Sequence, residues 1–472
     1  MGKNAMNESL SINAWTGVGP AMGALEAGAG RWAVKKQLPN YPSKLVAGEP
    51  VELRDWRDKD VGWGVVLPDN DALSVADRAN AVDAPESIKR LLTARASAPV
   101  FRYRADAAAG FLRRYFADGR YFYVALSGTD RGIGDEKVPM YMLIVGSPEE
   151  IPWRFQYLMN ATCFSGRLDL DEPARARYVE ALINGWKNSA SSSNRPVVWT
   201  VDHGEQDITW LMRQTVADPL AQKMQQDMDI GDRLTHLAGV EATGSALIDA
   251  LANTKPALIV TTSHGLTSPL NDLPTMRKQL GFLIDQNGTS VTASALLDKW
   301  QPDGAVWYAH ACCSAGSDAA TSYKGLIQSG SSIALTLDGV AALGAMVAPL
   351  PKALLSAEKP ARAFIGHVEP TFNMTLQSLE NRQVLTASII RALYGRMFRK
   401  LPEPVGMAVE GCYRHVGELF AQWQQQREDV NRGVPGAREA AMHSLIMAID
   451  RQSMVILGDP TVAIPALTAS GS

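Results

Sequence analysis

An α/β fold with a parallel sheet and helices on both faces is the class this sequence predicts, on three observations. Short β-rich apolar runs recur along the chain, and helix-period segments with polar turns separate them. Two of the runs, residues 257–263 and 305–311, are almost wholly apolar yet too short for buried helices. They read as interior strands of a parallel sheet. Strand–helix alternation of this kind places helices over both faces.

The elements follow in order. Residues 1 to about 95 are rich in glycine, proline and charge and read as a partly ordered N-terminal extension. Its first thirty residues carry no stable pattern, although Trp15 suggests some docking. Residues 62–67 can form one strand. Regular patterning begins near Val100. Residues 105–116 read as an amphipathic helix with Leu112, Tyr115 and Phe116 on one side, and 121–126 and 141–145 as strands. Asp171 as N-cap and Pro173 in the first turn start a helix over 173–187, striped by Tyr178, Leu182 and Trp186. The serine-rich run 189–194 reads as a linker. It divides a first α/β subdomain, residues 96–188, from a second, residues 195–472. In the second, 197–201 is a strand and Asp207 starts a helix reaching Thr215. Strands leading to His264 and Cys312 come next, then 331–337 and 362–366. The tail is helical over 375–400, 405–428 and 438–451, and residues 454–457 form a last short strand.

Composition narrows the function classes. Hydrophobic residues make up 46% and charged residues 20% of 472, the balance of a globular chain with a substantial core. A net charge of −3 provides no basic field for nucleic acid or an anionic membrane. Residues 339–355, the most apolar stretch, are broken by Pro349 and Pro351 and too short to span a bilayer. No signal-like apolar core follows the start, and four cysteines do not make a disulfide scaffold. A reduced, cytoplasmic protein is the expectation.

The chemistry gathers at two strand ends. His264-Gly265 closes one apolar run and Cys312-Cys313-Ser314-Ala315-Gly316 closes the next. Functional groups in parallel sheets collect at the carboxyl ends of strands. An imidazole and a thiol on neighbouring strands equip a cysteine nucleophile with a base. Without a side chain, Gly265 can bring its backbone N–H close to an oxyanion, and the N–H of Cys312 is the natural second donor. The small residues after Cys312 allow a tight turn into a helix whose N-terminus would favour a thiolate.

These residues resemble the caspase-like cysteine peptidases, the group of caspases, legumain, separase and gingipains. His-Gly after one strand and Ala-Cys after the next is their pattern. The nearest likeness is to gingipain-type peptidases. Residues 141–152 resemble their first-subdomain strand and turn, 166–169 the segment before their linking helix, and 457–460 the close of their catalytic subdomain. The resemblance spans roughly residues 100–465. It implies a caspase-like parallel-sheet three-layer sandwich with a preceding α/β subdomain and a helical C-terminal segment. It further implies a cysteine endopeptidase acting on protein or peptide substrates, with Cys312 as nucleophile, His264 as base and acid, and no cofactor. Cys313 directly follows Cys312, but the family places the nucleophile right after the small residue, here Ala311. His310 stands where the family carries Gln or Glu at the border of the P1 pocket. The loop after 362–366 would wall that pocket, so Glu369 could face a basic P1 side chain. Asp272 is a weaker candidate in a proline-flanked turn.

Other readings stay open. Asp202-His203-Gly204 is a second His-Gly after a strand, but no cysteine follows on the next one. The histidines and cysteines lack metal-site spacing, and no Gly-rich phosphate loop follows a strand. A non-catalytic scaffold on the same fold, or a small-molecule acyl hydrolase using the same pair, are the alternatives to a peptidase.

Overall fold

A computed structural model of the protein describes residues 10–35, 51–96, 98–378, 381–398 and 400–467. Its strands in chain order are β1 (Leu10–Trp15), β2 (Pro20–Gly23), β3 (Trp63–Pro68), β4 (Val100–Tyr103), β5 (Phe111–Tyr115), β6 (Tyr121–Ala125) and β7 (Tyr141–Val145). They continue as β8 (Phe164–Leu168), β9 (Val197–Thr200), β10 (Thr235–Ala238), β11 (Leu258–Thr262), β12 (Gly265–Leu266), β13 (Leu283–Ile284) and β14 (Ser290–Val291). The last five are β15 (Val306–His310), β16 (Gly316–Ser317), β17 (Met346–Val347), β18 (Ala363–His367) and β19 (Met454–Gly458).

The fold is α/β around one large, mostly parallel sheet, ordered β10-β9-β11-β15-β18-β19-β8-β7-β3-β4-β5-β6. Pairing is antiparallel only at β18–β19 and along β4–β5–β6. The interior strands β7, β8, β11, β15, β18 and β19 are buried at every position, as strands of a sheet covered on both faces are.

The two halves form a single sheet because the last strand closes the seam. β19 runs antiparallel to β18 and parallel to β8. The turn after it ties both sides. Asp459 accepts from Trp63 Nε1 at 3.0 Å and from Arg95 Nη1 at 3.1 Å, and its own N–H donates to Tyr178 Oη at 2.7 Å. Gly166 is required here, since a Cβ on it would lie 2.1 Å from the Gly458 carbonyl. The halves therefore share a seam rather than a flexible linker.

Several expectations are corrected. The first half starts well before residue 96, because β3 sits between β7 and β4 and the helix Glu86–Ala94 packs with it. Residues 105–116 are not a helix. β5 pairs with β4 and β6, and Gly110 and Gly119, both at positive φ, turn the chain on either side. Residues 331–337 are helical rather than extended, because Ser331 caps the helix Ser332–Ala341 by accepting from Ala334 N. The expected helix over 375–400 is broken into short pieces, Asn373–Leu376, Ala387–Ile390 and the π-turn Arg391–Arg396. The two tail helices do form, as Glu410–Asn431 and Ala437–Ser453. Among the described residues, no helix is long and apolar enough to cross a membrane.

The N-terminus departs most from expectation. Residues 1–9 lie outside the described residues, but Leu10–Trp15 is a buried strand with Ile12, Asn13 and Ala14 fully enclosed. It belongs to a second, five-stranded sheet, ordered β14-β13-β12-β1-β2, built beside the strand ends of the large one.

Candidate active site

β11 and β15 are parallel neighbours with Thr262 opposite His310. His264 and Cys312 each stand two residues beyond that rung, at the same edge of the sheet. Gly265 then lies against the Cys312 backbone: a Cβ there would fall 1.9 Å from the Cys312 carbonyl oxygen and 3.0 Å from its nitrogen. The glycine after the histidine is therefore a packing requirement. Gly265→Ala should push the two strand ends apart, and we expect a loss of activity together with a lower thermal midpoint.

His264 is fully buried, and its Nε2 lies 3.0 Å from both carboxylate oxygens of Asp207. Asp207 is itself fixed, accepting from the Thr209 N–H at 2.7 Å and the Thr209 hydroxyl at 2.6 Å at the head of the helix Ile208–Met212. Burial works against its charge, but the His264 bond and the Thr209 donors prevail and bring its pKa down to about 2. A folded value below the ordinary one means that ionised Asp207 adds stability above the unfolded pKa. That stability is lost as pH falls through the window down to about 2. With Nε2 engaged, Nδ1 of His264 is buried and unpaired, which leaves one ring nitrogen for chemistry.

His203, the competing His-Gly, is also brought to the site. Its ring stacks on His264 at 5.7 Å between centroids and 8° between planes. Its Nε2 lies 3.2 Å from the Asp285 carbonyl, and burial, then the nearby His264, lower its pKa. The indole of Trp15 lies against both rings, at 5.5 Å from His203 and 5.7 Å from His264. His203, Asp207 and His264 offer ligand atoms within 4.8 Å of one another. Among the described residues they are the one group that could hold a metal ion. The rings lie in nearly parallel, separate planes, so their in-plane lone pairs do not converge on one point. The geometry suits a carboxylate orienting an imidazole better than a coordination sphere.

Cys312 is buried, with its Sγ 3.3 Å from the Cys313 Sγ. Burial first, then Cys313 and Glu369, hold its thiol well above the ordinary range. The helix expected directly after Cys312 is not there. Cys313 takes a left-handed turn at φ 53°, and the chain runs into β16, which pairs with β17. No helix N-terminus therefore lies at Cys312 to favour a thiolate. The Ser314 hydroxyl pins this turn, donating to the Ala309 carbonyl at 3.1 Å and accepting from His367 N at 3.0 Å.

Glu369 lies where the strand order anticipates it, on the loop after β18, which pairs with β15. A narrow pocket beside the two sulfurs is lined by Cys312, Cys313, Asp318, Thr321, Val368 and Glu369, among others. Glu369 accepts from Ser322 N at 2.7 Å and from the Thr321 hydroxyl at 3.1 Å, yet burial carries its pKa up to about 7. Asp318, absent from the sequence-level candidates, is a second carboxyl in this pocket, and burial raises its pKa too.

Two candidates are placed elsewhere. His310 is not on the pocket wall. It is fully buried on β15, with Nδ1 2.7 Å from the Tyr308 hydroxyl and its ring 4.8 Å from His367. Burial, then His367 and Arg451, push its pKa well down, so it carries no charge to read a carboxylate. Asp272 caps the exposed start of the helix Leu273–Gln279 by accepting from Thr275 N. No protein-family model matches this chain, and no curated protein matches it.

Proposed function

We propose that this protein is a caspase-like cysteine endopeptidase. The observation that carries the reading is the buried Asp207–His264 pair with Nδ1 unpaired, on a chain whose next residue, Gly265, packs directly on the Cys312 backbone. His264 removes the Cys312 proton as sulfur bonds to the scissile carbonyl carbon. The N–H groups of Cys312 and Gly265 hold the oxyanion. The C–N bond then breaks as His264 protonates the leaving amine, and water hydrolyses the thioester. Asp207 holds the imidazole in one orientation and stabilises its cation, in the manner of a triad carboxylate. The chemistry requires no cofactor.

We read the two carboxyls beside the sulfurs as the mark of a basic P1 residue, Arg over Lys, which this space admits only on widening, since as it stands it holds about one water. Glu369 and Asp318 bring two carboxyls to a space beside the sulfurs, and no cation is among the residues lining it. A guanidinium would meet Glu369 with two parallel hydrogen bonds, an ammonium with a single point contact. Glu369→Gln should lower kcat/KM on Arg peptides selectively. Truncating one partner of a buried charge pair costs about 2–5 kcal/mol, a loss of at least ~30-fold. Because only the carboxylate pairs with Arg, kcat/KM on Arg peptides should rise with pH through about 7 and lose that limb in the variant. Equal turnover of Arg and Asp peptides by the wild type would reject this specificity. Sequencing the new N-termini released from a peptide library tests the function as a whole.

A further inference from the structure

The strand β1 lies across the active site as a bound peptide would. Asn13, fully buried, points its carbonyl oxygen at the Cys312 N–H, 3.2 Å away. On one side, β1 runs parallel to β12, with Ala14 opposite Gly265, Trp15 opposite Leu266, and Thr267 N donating to the Trp15 carbonyl at 3.0 Å. In a parallel ladder of that register, the preceding rung directs the Gly265 N–H toward the Asn13 carbonyl. The carbonyl therefore sits between the two proposed oxyanion donors. On the other side, Ile12 bridges antiparallel to Phe372, and the Asn13 side-chain oxygen accepts from Thr371 N at 2.9 Å, on the loop that carries Glu369. Trp15 lies over His264. A parallel ladder on one side and a single bridge on the other thus hold an extended segment whose Asn13 carbonyl, that of the Asn13–Ala14 bond, meets the Cys312 N–H.

Resting on the peptidase reading, we propose that Asn13–Ala14 is a bond the protein cuts in itself, and that the cut opens the site; tethering presents this bond in place of the P1 preference proposed for free substrates, since Thr371 rather than Glu369 holds the Asn13 side chain. The Cys312 sulfur bonds to the Asn13 carbonyl carbon, and the C–N bond to Ala14 breaks as His264 passes the thiol proton to the Ala14 nitrogen. Water then splits the thioester, its hydroxyl going to the Asn13 carbon and its proton back to sulfur. The products are a carboxylate at Asn13 and an amine at Ala14. The chain from Ala14 onward stays anchored, since Ala21, Ala29 and Trp32 belong to the same buried cluster as Met276 and Tyr323. In the piece ending at Asn13, Leu10 and Ile12 share that cluster and pair with β2 and Phe372, so the cut clears the side of the groove that holds residues before it only as those contacts open.

The test follows the intact mass and N-terminal sequence of full-length wild type and Cys312→Ala during incubation. Wild type should lose thirteen residues and begin at Ala14, at a rate independent of protein concentration, while Cys312→Ala keeps its full mass. Wild type that stays full-length while hydrolysing other peptides overturns self-cleavage and leaves the peptidase reading standing. Cutting at a different bond overturns it likewise. Wild type that stays full-length, hydrolyses no peptide and takes up no electrophilic peptide overturns both.

Discussion

Cys312→Ala should abolish peptide hydrolysis while the protein still folds. The substitution removes the nucleophile and one buried sulfur, a volume small enough that the stability cost should stay near ~1 kcal/mol. Cys313→Ala should keep the greater part of the activity. Its Sγ touches that of Cys312, and the same buried position tolerates the loss of one atom equally well. The comparison is informative because the two thiols differ in backbone, not burial. The Cys312 N–H donates to the Asn13 carbonyl, at the proposed oxyanion position, whereas Cys313 sits in a left-handed turn past it. Thermal melts of both variants separate chemistry from folding. A dead Cys313→Ala beside an active Cys312→Ala would reverse the assignment.

The second large effect belongs to the histidine and its carboxylate. His264→Ala should lose about 10²–10⁴-fold in kcat, the range for removal of a general base. Asp207→Asn should cost about 10²-fold or more, because an amide leaves the imidazole in place but supplies no charge for its cation. His203→Ala should fall within about tenfold, since what His264 loses is one stacking partner, an interaction of about 0.5–1.5 kcal/mol. Steady-state kinetics on one peptide rank the three. Equal losses from His203→Ala and His264→Ala would mean that the two rings act as a unit and that the base has been assigned too narrowly.

What was legible in the sequence is what local pattern encodes. The two apolar runs, the His-Gly and Cys at their ends, and the loop carrying Glu369 can all be read from strand length and order. Asp207 was visible only as the start of a helix, which it caps. The same carboxylate also meets His264, fifty-seven residues away in sequence, which no local pattern reports. Likewise β1 looks unstructured because its order comes from β12 and Phe372, far along the chain. The seam strand β19 is a plain five-residue run until Gly166 and Asp459 show what it joins. Residues 105–116 misled for a different reason. Leu112, Tyr115 and Phe116 fall at helical spacing, but glycines at positive φ on both flanks impose a meander. At Cys312, small residues suggested a strand-to-helix turn, whereas the chain spends them on a left-handed turn and the short β16–β17 pair.

The central claim is that Cys312 attacks a peptide carbonyl with His264 as its base. The most direct measurement is covalent labelling by an electrophilic peptide ketone with Arg at P1, read by intact mass and mapped by fragmentation. The account predicts a single adduct on Cys312, formed far more slowly in His264→Ala and competed by Arg peptides. An adduct on Cys313, or labelling of Cys312 at the same rate with and without His264, would contradict it.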